Sequence, residues 1–373
     1  MELIPHAMDA AFLMGLLIVF GGILALELGL SVAIVEILLG LLGANLFGMA
    51  EEQWIPLMAN FGLLGIMFFA GFETDANSIR KNWKKSAVLG ITSFFVPFLV
   101  FYLASFFIFN LSSSTSLVMA ASFSPVSLAI IYLVLKENKM LSAPSGQLVL
   151  SAAMLVDVIS MIVLSVVFEG VSFYSILVLF IVLLSLLFLP RFGRWLFSRY
   201  RGDSSEFKVK FILLTLIALL SVSEKINVHG AVLAFVAGFF FSEMIEEHDV
   251  LEEKLRAVIF GFMAPIFFFS AGLGADFSVL ELKHLVFILF YAALVLSTKY
   301  FSSYFVFRRF MSRKISSFSG WLFSINVTLG IVFARVALHK GMIDVSSYSA
   351  VISVLVLTSV LASLAIRIMP HEI

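Results

Sequence analysis

Long apolar stretches separated by short polar breaks run the whole length of the chain. They predict about thirteen helices, over 8–28, 30–47, 55–72, 86–109, 115–135, 145–168, 173–190, 209–223, 228–244, 257–274, 284–306, 316–338 and 346–368. A hydrocarbon core about 30 Å thick is crossed by about 20 helical residues. Backbone groups in lipid must be satisfied within the segment, so runs of this length predict helices. None shows the alternation of a barrel strand. The pattern predicts an all-α polytopic membrane protein, with residues 1–373 forming a single transmembrane unit.

Composition removes the soluble alternative. Of 373 residues, 61% are hydrophobic and 13% charged, with a mean hydropathy of +1.10. A soluble domain carries about 25% charged residues. Lysine plus arginine balance aspartate plus glutamate at 24 each, which leaves no global field for a nucleic-acid partner. Cysteine is absent, so disulfides and thiol chemistry are excluded. The first apolar segment follows Met-Glu-Leu-Ile-Pro-His, without a basic leader, and is expected to be a retained helix.

The basic residues orient the chain. On the predicted topology one side's loops, with Arg367, hold 19 of them, and the other side holds Lys225, Lys283 and Lys340. The positive-inside rule puts the rich side in the cytoplasm, the N-terminus outside and the C-terminus inside, in the cell (plasma or inner) membrane. Lys299 and Arg335 are left within spans.

An internal repeat is written at an offset of 201. Phe68-Phe69-Ala70-Gly71-Phe72-Glu73-Thr74-Asp75 parallels Phe269-Ser270-Ala271-Gly272-Leu273-Gly274-Ala275-Asp276. These close the third and tenth predicted spans. An odd separation of seven makes the second copy run the opposite way through the membrane, as in secondary transporters whose substrate binds on interrupted helices. The same offset relates Ser124-Pro125, mid-depth in the fifth span, to Ile325-Asn326, mid-depth in the twelfth. Pro125 removes an N–H and should open its helix. Ser122, Ser124 and Ser127 supply hydroxyls there, and Asn326, Thr328 and Gly330 form a comparable polar break.

Asp157 sits about twelve residues into an apolar span. A charge at that depth costs about 2.5–3.5 kcal/mol on insertion scales. Such a carboxylate either joins a structural salt bridge or trades a proton for a metal cation. Lys299, also mid-depth, is too far from either end to snorkel and is expected to find a partner such as Asp157. Arg335, near the outer end of its span, is expected to snorkel; Glu36 has either a gating or a structural role. Catalytic motifs of the Gly-x-Ser-x-Gly, His-Glu-x-x-His and phosphate-loop types do not occur.

With these residues in view, the chain resembles the cation:proton antiporter-2 family of sodium or potassium/proton antiporters. The likeness rests on Leu28 through Gly40, Ala70-Gly71-Phe72-Glu73-x-Asp75, Ser145-Gly146 through Asp157, His229 through Gly238, and Pro265-Ile266-Phe267-Phe268 leading to Gly272-Leu273. The resemblance implies the sodium/proton antiporter fold, with two crossed, partly unwound helices in a core of about 55–168 and 257–368. The remaining helices would form a dimerisation scaffold, and the core would move as an elevator. Asp157 matches the family's cation-binding aspartate and Lys299 its buried lysine. Val156 stands where relatives often carry Asp, Asn or Gln, and Asn326-Val327-Thr328 where many carry Arg-Gly-Glu.

These readings converge on exchange of Na⁺, with K⁺ and Li⁺ as further cargo, for H⁺ by alternating access. Asp157 takes proton or cation in turn, with oxygen ligands from Ser122, Ser124, Ser127 and Asn326 and charge compensation from Lys299. Glu36, Glu73, Arg335 and Thr328 hold gating or structural roles, and Pro125 and Gly330 make the breaks. The cargo ions, the bilayer and a second copy of the chain are the expected partners, with no resident cofactor and no nucleic acid. The alternatives are a sodium-coupled organic-anion symporter of the same architecture and a gated cation channel.

Overall fold

The computed structural model describes residues 3–72, 83–140, 143–169, 188, 191–200, 206–226, 230–246 and 249–369, and these residues are almost wholly helical. In chain order the helices are α1 (Leu3–Leu28), α2 (Val32–Phe47), α3 (Trp54–Phe72), α4 (Trp83–Leu103, extended by a π turn over Ala104–Ile108), α5 (Ser113–Phe123), α6 (Leu128–Glu137) and α7 (Pro144–Glu169). Helix α8 covers 191–199. Next come α9 (Phe207–Ile226), α10 (Gly230–Glu246), α11 (Asp249–Val258), a π turn over Ile259–Met263, and α12 (Ala264–Leu273). Helices α13 (Leu282–Phe307), α14 (Arg313–Ser324), α15 (Thr328–His339) and α16 (Val345–Ile368) complete the chain.

Twelve of the predicted spans coincide with described helices; the seventh, 173–190, lies outside the described residues apart from 188. Among the described residues, eight helical segments are long and apolar enough to cross a membrane, and Val32–Phe47 and Gly230–Ser242 are shorter apolar helices. Many large apolar side chains point outward, among them Phe12, Leu26, Leu46 and Leu282, as a surface bathed in acyl chains requires. The segment 191–199, expected as loop, is helical, and α11 begins eight residues before the predicted tenth span. Both are rich in charged residues, and charged residues favour helix as readily as apolar ones.

The chain divides into two compact units. The first comprises Met1–Gln53, Ala76–Ser160 and Phe268–Ile373. Within it α13 packs against α4, α14 and α16, and α5 against α4 and α15. The second comprises Trp54–Asp75 and Met161–Phe267, with α3 laid along α10 and α9 against both.

Each unit contains one close helix crossing made by a reciprocal pair of glycines. In the first, a Cβ on Gly40 would overlap the Phe269 carbonyl, and one on Gly272 would overlap that of Ile37. In the second, Gly71 faces the Phe235 carbonyl and Gly238 that of Phe68. Small residues let backbones approach this closely inside a membrane. Phe68 and Phe269, and Gly71 and Gly272, are both 201 residues apart, so the repeat seen in the sequence reappears as two equivalent crossings.

Candidate functional site

Two helices break inside the first unit. The first stops at Phe123 and resumes at Leu128; the second stops at Ser324 and resumes at Thr328. Both are started alike: Ser112 Oγ accepts from the Thr115 N–H at 3.1 Å, and Ser312 Oγ from the Ile315 N–H at 3.4 Å. A serine N-cap satisfies one orphan donor of the first turn. Pro125 accounts for the first break because it cannot donate to the preceding turn. The second has no proline. There Asn326 diverts the backbone by taking the Gly330 N–H on its own side-chain oxygen at 3.1 Å.

The breaks are tied to each other. Ser127 N–H donates to the Ile325 carbonyl at 3.0 Å, and Asn326 Nδ2 to the Ser122 carbonyl at 2.7 Å. The hydroxyls of Ser127 and Thr328 are 3.0 Å apart. A Cβ on Gly330 would press on the Ser122 carbonyl, so glycine is what admits the two backbones side by side. Ser122, Ser124, Ser127 and Asn326 are fully buried. Buried polar groups of this density are stable only when satisfied. The junction comes close to that condition, but Ser122 Oγ has no hydrogen-bond partner among the described residues. Ser124 Oγ, by contrast, donates back to Ala120 O at 2.6 Å.

Lys299 enters this junction from α13. Its Nζ donates to the Pro125 carbonyl, and the side chain is 1% exposed. The ion pair expected with Asp157 is not formed; the lysine is held by a carbonyl that Pro125 leaves outside any helix. One turn further on, Ser303 Oγ donates to Ser93 Oγ of α4 at 3.2 Å. Asp157 is buried at 3% exposure on α7, in the same unit, and α4 approaches α7 closely where Gly90 meets Leu155 and the Ala152 carbonyl. Glu36 is buried on α2, one turn before the Gly40 crossing. Glu73 lies outside the described residues.

Arg335 does not snorkel. It is buried on α15, and its Nη2 donates to Glu51 Oε1 at 2.9 Å, an oxygen that also accepts from Ser270 Oγ at 2.7 Å. A carboxylate within reach is a better partner for a guanidinium than a stretched path to the surface. Sequence reasoning missed Glu51, which sits in a loop 284 residues from Arg335 and in no span.

Residues 15–370 match the family described as sodium/hydrogen exchanger, transmembrane. The chain belongs to this family. Among curated relatives of this exchanger is the probable Na⁺/H⁺ antiporter 3 of Methanocaldococcus jannaschii, 26% identical over 90% of the chain and 89% of the relative. Another is the putative Na⁺/H⁺ antiporter YjbQ of Bacillus subtilis, 24% identical, where 91% of the exchanger chain spans 59% of a longer protein. The solved structure of the sodium proton antiporter MjNhaP1 from M. jannaschii at pH 8 superposes with a TM-score of 0.70 at 14% identity, covering 97% of this chain and 96% of that one. The exchanger therefore has the fold of that antiporter, and it is a multi-pass membrane protein.

Proposed function

We propose that the chain exchanges Na⁺ for H⁺ across the cell membrane, with its N-terminus outside and C-terminus in the cytoplasm, as a homodimer. The observation that carries the reading is the junction of two broken helices around Pro125 and Asn326, closed by a buried lysine. Broken helices in a membrane leave carbonyl ends and N–H ends without intrahelical partners, and these suit a small ion. The family membership and the Na⁺/H⁺ antiporter names of its relatives support the same function. No observation favours the organic-anion symporter or the channel.

In this reading Asp157 holds either a proton or a cation. An empty carboxylate would carry a bare charge through a low-dielectric barrier at a cost of several kcal/mol, so the ion-binding core moves readily only when loaded. Loaded-only movement makes the process an exchange. Ser122 supplies a neutral oxygen ligand, since its hydroxyl is buried and uncommitted. Asn326 acts as a clasp between the breaks, because both ends of its amide are already engaged. Lys299 stays protonated on the Pro125 carbonyl. Proton-loaded and cation-loaded sites then carry the same charge, and exchange is one for one.

The test is proton movement in proteoliposomes on adding Na⁺, K⁺ or Li⁺, with wild type beside Asp157→Asn. Exchange in the wild type and its loss in the variant support the site. An Asp157→Asn protein that exchanges normally overturns it, and a sodium-driven current on a solid-supported membrane overturns the one-for-one stoichiometry.

A further inference from the structure

Lys299 is flanked on its own helix by two buried aromatic residues, Tyr291 eight positions before it and Phe307 eight positions after it. Eight helical residues rise about 12 Å, so the rings stand about two turns to either side of the lysine along α13. Each meets a ring from an interrupted helix. The Tyr291 ring lies 5.1 Å from that of Phe123, the last residue of α5, and the Phe307 ring lies 5.1 Å from that of Phe323, next to last in α14. All four side chains are fully buried. The first pair is backed by further rings, Phe287 at 4.3 Å from Tyr291 and the half-buried Phe109 at 4.9 Å from Phe287. Tyr291 is also fixed through its hydroxyl, which shares a hydrogen bond with Ser105 Oγ on the π turn of α4.

We propose that the two ring pairs are proton seals, closing the junction lengthwise so that no file of water runs past Lys299 from one side of the membrane to the other. A buried ammonium group beside hydroxyls and carbonyls would pass protons if water reached it from both sides, and exchange would lose its coupling. Apolar constrictions shut such a path by expelling water, and a dry site prevents proton leakage. The placement suits that role: one ring of each pair sits beside a helix break, and the other is carried by the helix that delivers the lysine. Both seals are needed. In alternating access the junction is open toward one side in each state, so loss of the seal on the far side joins the two compartments. The inference rests on the proposed function for that alternation alone.

The test is a proton leak measured without cargo. The full chain is reconstituted in proteoliposomes in a choline medium free of Na⁺, K⁺ and Li⁺, a pH gradient is imposed, and a lipophilic counter-ion carries the balancing charge. The wild type holds the gradient. Tyr291→Ala and Phe307→Ala each lose it with no cation added, whereas Tyr291→Phe, which keeps the ring, holds it. Leucine at either position covers the case in which the alanine protein does not fold; it loses the gradient faster than wild type and more slowly than alanine. Phe301→Ala removes a ring of the same helix that is 51% exposed, and it stays tight. Rings that only pack the core would lower the melting temperature without a leak, so alanine and leucine variants as tight as wild type overturn the proposal. A leak in Phe301→Ala as large as in Phe307→Ala, or in Tyr291→Phe as large as in Tyr291→Ala, overturns it too. Absence of Na⁺/H⁺ exchange in the wild type counts against the proposed function, and tight alanine variants count against the seals, so the two failures are read separately.

Discussion

Ser127 and Thr328 stand 201 residues apart in the chain and share a hydrogen bond of 3.0 Å between their hydroxyls. The offset is the one that relates Phe68 to Phe269 and Gly71 to Gly272. Equivalent positions of the two halves thus meet at the point where both interrupted helices open. The contact lies within the polar junction, beside the Ser127–Ile325 and Asn326–Ser122 hydrogen bonds.

Asn326 is the most heavily used side chain of that junction, and its removal should be costly. Asn326→Ala strands the Ser122 carbonyl and the Gly330 N–H, each buried. An unsatisfied buried group costs about 1–3 kcal/mol. Thermal unfolding in detergent is expected to shift accordingly, and further than for Ser127→Ala, whose partner Thr328 can turn its hydroxyl elsewhere. A smaller shift for Asn326→Ala would show that the clasp does not hold the breaks together.

The glycine crossings predict a matched pair of lesions. Gly272→Ala and Gly71→Ala each place a methyl group against a backbone carbonyl that cannot rotate away. Overpacking of this kind costs about 1–3 kcal/mol. Gly22→Ala on α1, with open space around its Cβ, should be silent or slightly stabilising. Melting temperatures of the three variants side by side decide the matter; a silent Gly272→Ala would refute the close crossing.

Glu51 and Arg335 predict a coupled loss. Glu51→Gln leaves the buried guanidinium short of its carboxylate, and Ser270→Ala removes only the second donor to that oxygen. Breaking a buried pair costs about 3–5 kcal/mol, and the 32% exposure of the Glu51 side chain puts this pair below that range. A double-mutant cycle of Glu51→Gln with Arg335→Gln is expected to return a coupling of about 0.5–3 kcal/mol. Additive effects would mean the pair is ornamental.

Asp344 predicts an acid-dependent cap. It ends the loop before α16, accepts from the Ser347 N–H at 2.9 Å, and its carboxyl is held down at about 2, chiefly by its hydrogen bonding with Ser347. The folded value lies below the unfolded one of about 3.9. The stabilisation is therefore fully present above pH ~4 and is lost as pH falls toward 2. Asp344→Ala should cost about 1 kcal/mol at neutral pH, and the difference from wild type should shrink in melts run at the acid end of that window. A difference that does not change with pH would exclude the carboxylate as the cap.

The large features of the fold were legible because the membrane demands them. A run of apolar residues has one stable outcome in lipid, and Pro125 at mid-span has one effect on a helix. The 201-residue offset marked the second break although Asn326 opens its helix by different chemistry. Direction was not legible. The sequence shows that Asn326 is a polar residue at mid-span, but not that its amide reaches across to the other break. Arg335 was read from its distance to the span end, a local quantity, while Glu51 reaches it from a distant loop. Lys299 was rightly placed deep in the protein; its acceptor, a backbone carbonyl freed by Pro125, has no residue type to announce it.

The exchanged glycine crossings bear on how the protein is made. Helix α2 meets α12, and α3 meets α10, so neither early helix can seat against its partner until more than 150 residues later have been synthesised and inserted. During that interval each must persist in the bilayer with its glycine groove filled by lipid, α2 supported only by its neighbour α1. Assembly is thus obliged to follow insertion, and a ribosome that stalls midway releases a product in which both grooves are empty of protein.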